Sequence, residues 1–105
     1  MKRQISWSTK ASADYHGQLE YIAEQKPNNA DVVDQRLMAA IELLAEMPIG
    51  RASRVAGTYE KPVTNTSLII VYRVSDENLY IVRIIHAKRD WPKGDWPKEP
   101  WSLII

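Results

Sequence analysis

An α+β fold is what this sequence predicts: the order β-α-α-β-β-β, an antiparallel sheet with a helical hairpin on one face, and an extended C-terminal tail. Three observations carry that expectation. Through the first half of the chain, apolar residues recur every three or four positions, interrupted once by Pro27. Two runs rich in β-branched and aromatic residues follow, Leu68–Val74 and Leu79–Ile85, separated by Ser75-Asp-Glu-Asn78. A short alternating segment, Gln4-Ile-Ser-Trp-Ser8, precedes both. A single sheet with a helix pair laid on it lets each layer bury the apolar side of the other.

The elements follow in order. Ile5 and Trp7 alternate with polar neighbours, the period of a half-buried strand. Ser8 or Thr9 then offers a helix cap, and Ala11, Tyr15, Leu19 and Ile22 make one helical stripe running to about Lys26, where Pro27 stops it. Asn28 or Asn29 offers a second cap, and Ala30, Val33, Leu37, Ile41, Leu44 and Met47 repeat until Pro48. Helices joined by two or three residues form an antiparallel hairpin. After Gly50 and Gly57 the period changes. A weaker strand is expected from Gly57 to Val63, where Pro62 removes a ladder donor and marks an edge or a strand end. The two β-branched runs close the domain as a hairpin.

Composition bounds the function. The chain has 105 residues, 14 Lys and Arg against 13 Asp and Glu, no Cys, no Phe and four Trp. A domain of this size buries roughly two thirds of its unfolded surface, enough for one core without disulfides or metal. Net charge near zero argues against a nucleic-acid coat protein. The absence of Cys removes disulfide frameworks and thiolate metal sites and fits a reducing compartment. No apolar run approaches the roughly 20 residues of a membrane span, and no signal-peptide pattern follows Lys2 and Arg3, so the chain is read as cytoplasmic and without membrane partners. The charge is nevertheless polarised. Ala11–Pro48 carries seven acids against two bases, whereas Ile49–Asp90 carries seven bases against four acids. Solvated faces that attract each other account for this most simply.

Conventional chemistry is sparse. His16 and His86 are the only histidines and have no ligand spacing, so neither a metal nor a cofactor is expected. Neither a nucleophile elbow nor a Gly-rich phosphate loop is present. Glu42 and Glu46 share a helix face and read as solvated. One chemistry dispenses with such motifs, the cleavage of RNA by basic and aromatic residues that align a phosphate and move protons. Arg73, Arg83, Lys88, Arg89, His86 and Tyr80 have the right types. By strand parity Tyr80 and His86 share a face, while Arg73 and Arg83 interrupt apolar runs and are expected at an edge or away from the core.

The motifs Trp7-Ser8-x-x-Ala11-x-x-Asp14, Tyr21-Ile22-Ala23, Met47-Pro48-x-Gly50-Arg51, Gly57-Thr58-x-Glu60, Ile70-Val71-Tyr72-Arg73-Val74 and Ile84-Ile85-His86-Ala87-x-Arg89-x-Trp91-Pro92 come in this order on that pattern. Together they resemble the ParE/RelE superfamily of toxins from type II toxin–antitoxin modules, in its ParE branch. The likeness spans roughly residues 5–92. It divides the chain into a toxin domain, 1–92, and a Trp- and Pro-rich extension, 93–105. It implies a toxin neutralised by a ParD-like antitoxin, which would link it to operator DNA only indirectly, and inhibition of DNA gyrase when free. The superfamily's other activity is ribosome-dependent mRNA cleavage by its RelE branch. That activity uses basic residues on the strands after the helices and a Tyr near the C-terminus. The corresponding strand positions here read as Glu60, Pro62 and Ile69, no Tyr follows Tyr80, and only Arg89 matches. The expectation is a non-enzymatic toxin, with an RNase or a non-toxic co-repressor as alternatives.

For the antitoxin, an amphipathic partner segment folding into an apolar groove is expected, the groove lined by Tyr15, Leu19 and Ile22 and rimmed by Arg51, Arg54 and Arg83. The same apolar residues fit an intramolecular core equally well. The target contact is expected between His86 and Trp96, with His86, Lys88, Arg89, Trp91 and Trp96 as the candidates, because side chains project freely where the last strand ends. Trp96 and Trp101 lie past the likeness, in a Pro-rich run that either packs back on the domain or offers anchors to a partner.

Overall fold

A computed structural model describes residues 2–88. Strand β1 (Gln4–Trp7) leads into helices α1 (Thr9–Gln25) and α2 (Pro27–Glu46), followed by strands β2 (Arg51–Ala52), β3 (Tyr59–Pro62), β4 (Leu68–Val74) and β5 (Asn78–His86). They form one five-stranded sheet in the order β1-β5-β4-β3-β2. Pairing is antiparallel from β2 to β5, and β1 adds to β5 in parallel, Gln4–Trp7 against Asn78–Ile81. The fold class is the expected α+β. The structure adds the two-residue β2 and the parallel edge, neither of which leaves a periodic signal in so few residues.

Ser8 caps α1, its side chain accepting from the Ala11 amide at 2.8 Å. The second helix begins earlier than its asparagines suggest. Pro27 occupies its first turn, Lys26 is the only residue between the helices, and no side chain caps the start. A proline has no N–H to satisfy and arrives with a helical φ, so the expected Asn cap is unnecessary. Lys26, with φ −145° and ψ 86°, lies outside the helical region, which a following proline disfavours.

Both helices lie on one face of the sheet. Leu37, Ile41, Leu44 and Ala11 pack against Leu68, Ile70, Tyr72, Leu79, Ile81 and Ile84, all buried, with Ile5, Trp7 and Tyr15 at the margin. The opposite face carries a second apolar group, Val71, Tyr80, Val82 and Ile85, with Ile69 against it. A bulge between Val71 and Tyr72, where Val71 pairs with Arg83 and Tyr72 with Ile81, leaves Val82 as the extra residue. The bulge shifts the parity of β5, so Tyr80 and His86 stand on opposite faces. The expectation that they share one is thereby corrected: Tyr80 joins the second group, whereas His86 pairs with Leu68 of the helix-side core.

Candidate functional site

Several residues that look functional in the sequence hold the scaffold together. β1 ends at Trp7, but β5 continues, and its open edge is completed by side chains. Ser8 donates its amide to the Ile81 carbonyl at 3.0 Å and its hydroxyl to the Val82 carbonyl at 2.7 Å. Asp14 accepts from the Ile84 amide at 3.0 Å and takes the Arg83 guanidinium in two bonds of 2.7 and 2.8 Å. Both side chains of this pair are largely buried, 13% and 15% exposed. The bidentate geometry is the strong form of the interaction. Arg83, expected on the rim of a partner groove, is thus engaged inside the domain. Tyr15 packs edge-on against Trp7, centroids 5.5 Å apart, and donates to Asp34 at 2.8 Å, tying α1 to α2. That hydrogen bond, followed by burial, raises the Tyr15 pKa above the ordinary phenol value.

The glycine motifs are architectural as well. At Gly50 a Cβ would meet the Tyr72 hydroxyl at 2.2 Å and the Glu60 carbonyl at 2.7 Å, so only glycine lets the chain pass over Tyr72. Burial raises the Tyr72 pKa, an effect the Gly50 backbone opposes. Gly57 has φ +79° and its carbonyl accepts from Arg73. Glu60 is 8% exposed and is neutralised by Arg51, whose side chain is 72% exposed.

Among the surface concavities, one beside Trp7, Ser12, His16 and Met38 holds Tyr15, and two others bear on the expected partner contacts. One, of about 250 Å³, is lined by Tyr21, Ile22, Lys26, Val33, Leu68 and His86. It brings together Ile22 and His86, expected in different sites. Leu19 is half-buried outside it. The other, of about 380 Å³, runs between α2 and β3, with Ala39, Ala40 and Leu43 on one wall, Lys61 and Pro62 on the other, and Arg36 at its side. Through Lys61 and Pro62 it is continuous with a hollow containing Ile49, Gly50 and Arg51. Leu43, on the wall of the groove, and Ile49, in the hollow, are 47% and 50% exposed. Met47, which its spacing places on the core stripe of α2, is 59% exposed. Sequence spacing does not reveal this groove, because it reports only the stripe that packs inward. Leu43, which falls off that stripe, and Ile49, in a loop after Pro48, were the available signals.

Arg54 is exposed in the turn before β3, and Lys88 is exposed where β5 ends. Arg89, Trp91 and Trp96, together with the rest of the tail, lie outside the described residues. Among the described residues, no three His, Cys, Asp or Glu side chains gather as metal ligands, and no helix is long and apolar enough to cross a membrane.

On the second face, register places Glu60 beside Val71 and Pro62 beside Ile69. Glu60, Pro62 and Ile69 are the three positions at which an RNase of the resembled superfamily would hold basic groups. Their neighbours there are apolar, and the one carboxylate is bound to Arg51. The geometry defines a small α+β protein with a sheet, a helix pair on one face and an apolar groove that has a basic side.

Comparison with known proteins gives the family. The chain belongs to the family described as the ParE toxin of the type II toxin–antitoxin system parDE, whose model matches residues 5–91. The protein Y4kP of Sinorhizobium fredii is 31% identical over 93 residues, covering 88% of this chain and 96% of its own. Toxin RelE2 of Caulobacter vibrioides is 35% identical over 86 residues, covering 82% and 97%. Among solved structures, the chromosomal ParDE toxin–antitoxin system from P. aeruginosa has the same fold at a TM-score of 0.75 and 21% identity, covering 83% of this chain and 98% of its own. The chain is therefore a type II toxin of the ParE/RelE superfamily.

Proposed function

We propose that this chain is neutralised in the cytoplasm by a ParD-like antitoxin and that, once free, it inhibits DNA gyrase and so replication. Membership of the ParE family supports this choice of target. The observation that carries the choice over RNA cleavage is the second sheet face, where Glu60, Pro62 and Ile69 stand among aliphatic side chains. A paired carboxylate, a proline ring and an aliphatic group cannot hold a scissile phosphate. The antitoxin segment fills the groove between α2 and β3: its apolar side covers Leu43 and Ile49, and its acidic residues face Arg36, Arg51 and Lys61. Charge there sets association rate and specificity more than affinity. The target contact stays with the segment from His86 to Trp96.

Ribosome-dependent mRNA cleavage is the second reading, favoured by the likeness to Toxin RelE2. Induction in bacterial cells separates the two. The proposal expects growth arrest with DNA-damage signalling and intact transcripts, relieved by co-expressing the antitoxin. Transcript cutting without DNA damage supports the second reading, and normal growth points to a co-repressor without toxicity.

A further inference from the structure

By helical spacing, α2 turns Arg36, Ala40 and Leu43 toward the α2–β3 groove and Asp34 and Met38 to its opposite side. There Met38 joins Trp7, at the end of β1, and Ser12, Tyr15 and His16 of α1 around an open hollow of about 280 Å³. Three of the side chains around it are aromatic and mutually inclined. The Trp7 and Tyr15 planes meet at 64° with centroids 5.5 Å apart, and those of Tyr15 and His16 at 63° and 5.0 Å. Edge-to-face packing leaves ring faces outside the pair contacts, and a ring face is a patch of negative potential. The Tyr15 hydroxyl donates to Asp34 at 2.8 Å, which sets a carboxylate one hydrogen bond beyond the ring. Among the described residues, Asp34 takes no part in the ion pairs that engage Asp14, Glu42 and Glu60. Aromatic faces beside a carboxylate are complementary to an organic cation.

We propose that this hollow docks an arginine side chain of a protein partner, its guanidinium lying against the Trp7 and Tyr15 rings and facing the Asp34 carboxylate. Three observations select this occupant. The surrounding surface attracts cations, since Ala11–Pro48 carries seven acids against two bases. The hollow is open and has room for one long side chain, whereas a free small ligand is held by deeper enclosure. Its walls also suit a guanidinium better than an ammonium. A guanidinium is planar and weakly hydrated, stacks on rings and bonds a carboxylate with two N–H groups, while Met38 lies against the apolar stem.

The partner of this hollow has the opposite charge to the acidic segment placed in the α2–β3 groove, and the two surfaces lie on different sides of α2, so both can be occupied at once. The inference does not depend on which target the toxin has.

A chemical-shift titration of the full-length chain tests it. The probe is the capped peptide Ala-Ala-Arg-Ala-Ala, and the control is its citrulline counterpart, which has a similar shape without the charge. The proposal expects the arginine peptide to give saturable shifts of the Trp7 indole and the Met38 methyl in the millimolar range, and the citrulline peptide to bind several-fold more weakly. Asp34→Asn keeps an acceptor for Tyr15 and should weaken the arginine peptide several-fold with an unchanged melting temperature. Ser12→Lys, on an exposed helix position, brings an ammonium to the hollow and should abolish the shifts. Equal binding of the two peptides overturns the proposal, since the hollow then takes an uncharged side chain. Tighter binding of tetramethylammonium than of the arginine peptide assigns the hollow to a small quaternary amine and overturns it too, as does the absence of any saturable shift at Trp7 and Met38.

Discussion

Asp14 does the work of a missing strand. It accepts the Ile84 amide that β1 is too short to reach and neutralises Arg83 in the same contact. Asp14→Ala leaves a mostly buried guanidinium and an amide without their acceptor, and should cost about 3 kcal/mol in urea unfolding. Asp14→Asn keeps one acceptor but loses the charge and falls between. Gly50→Ala drives a methyl into Tyr72 and should cost about 1–3 kcal/mol, with the loss partly recovered when Tyr72 is shortened as well. Tyr15, Tyr72 and Tyr80 share a consequence. Each pKa is raised above 10.0, Tyr15 chiefly by its bond to Asp34 and the other two chiefly by burial. A phenol that holds its proton more tightly when folded contributes its stability fully below pH 10.0, and loses it as the pH rises through the higher folded value. The urea midpoint should therefore fall above pH 10.0, and less steeply in Tyr15→Phe.

At the scale of elements, α1 carries one residue that its position does not require. Gly17 lies mid-helix, and a Cβ there meets nothing within 4 Å. Gly17→Ala should stabilise the protein by roughly 0.5–1 kcal/mol, read as a raised melting temperature with unchanged dichroism. Long periodic elements were legible in the sequence for physical reasons. Both helices repeat an apolar stripe several times, and β4 and β5 are dense in β-branched residues, so β4 falls on the run expected for it, Leu68–Val74. Three features were not legible. The two residues of β2 carry no period, the bulge beside Val82 depends on the partner strand, and Pro27 starts its helix without the side-chain cap that asparagines advertise. The candidate site was legible only in part for a related reason. A motif such as Ser8-x-x-Ala11-x-x-Asp14 marks the geometry that caps α1 and completes the edge of β5, whereas a docking groove is defined by apolar residues left uncovered. Leu43 shows the distinction: its identity is ordinary, and only its position against Lys61 and Pro62 gives it meaning. Leu43→Asp, on an exposed helix position, should weaken antitoxin binding at least tenfold in a calorimetric titration while leaving the melting temperature within a few degrees.

At the scale of the whole molecule, the polarised charge of the sequence acquires a place. The acids of α1 and α2 are mostly on solvated helix faces, and Arg36, Arg51 and Lys61 border the groove. Arg36 also donates to the Asn65 carbonyl, and Arg51 neutralises the buried Glu60, so reversing the charge of Arg51 tests stability together with binding. The two faces of the sheet then have separate roles. The helix side builds the core and, between α2 and β3, an apolar groove with basic residues beside it. The second face carries its own apolar group, Val71, Tyr80, Val82 and Ile85. The central claim is that this toxin acts by binding gyrase and not by cutting RNA, and supercoiling of relaxed plasmid by purified gyrase tests it most directly. Near-stoichiometric chain should abolish supercoiling, equimolar antitoxin should restore it, and mRNA on translating ribosomes should stay intact under the same conditions. Undiminished supercoiling alongside cleaved mRNA would contradict the claim.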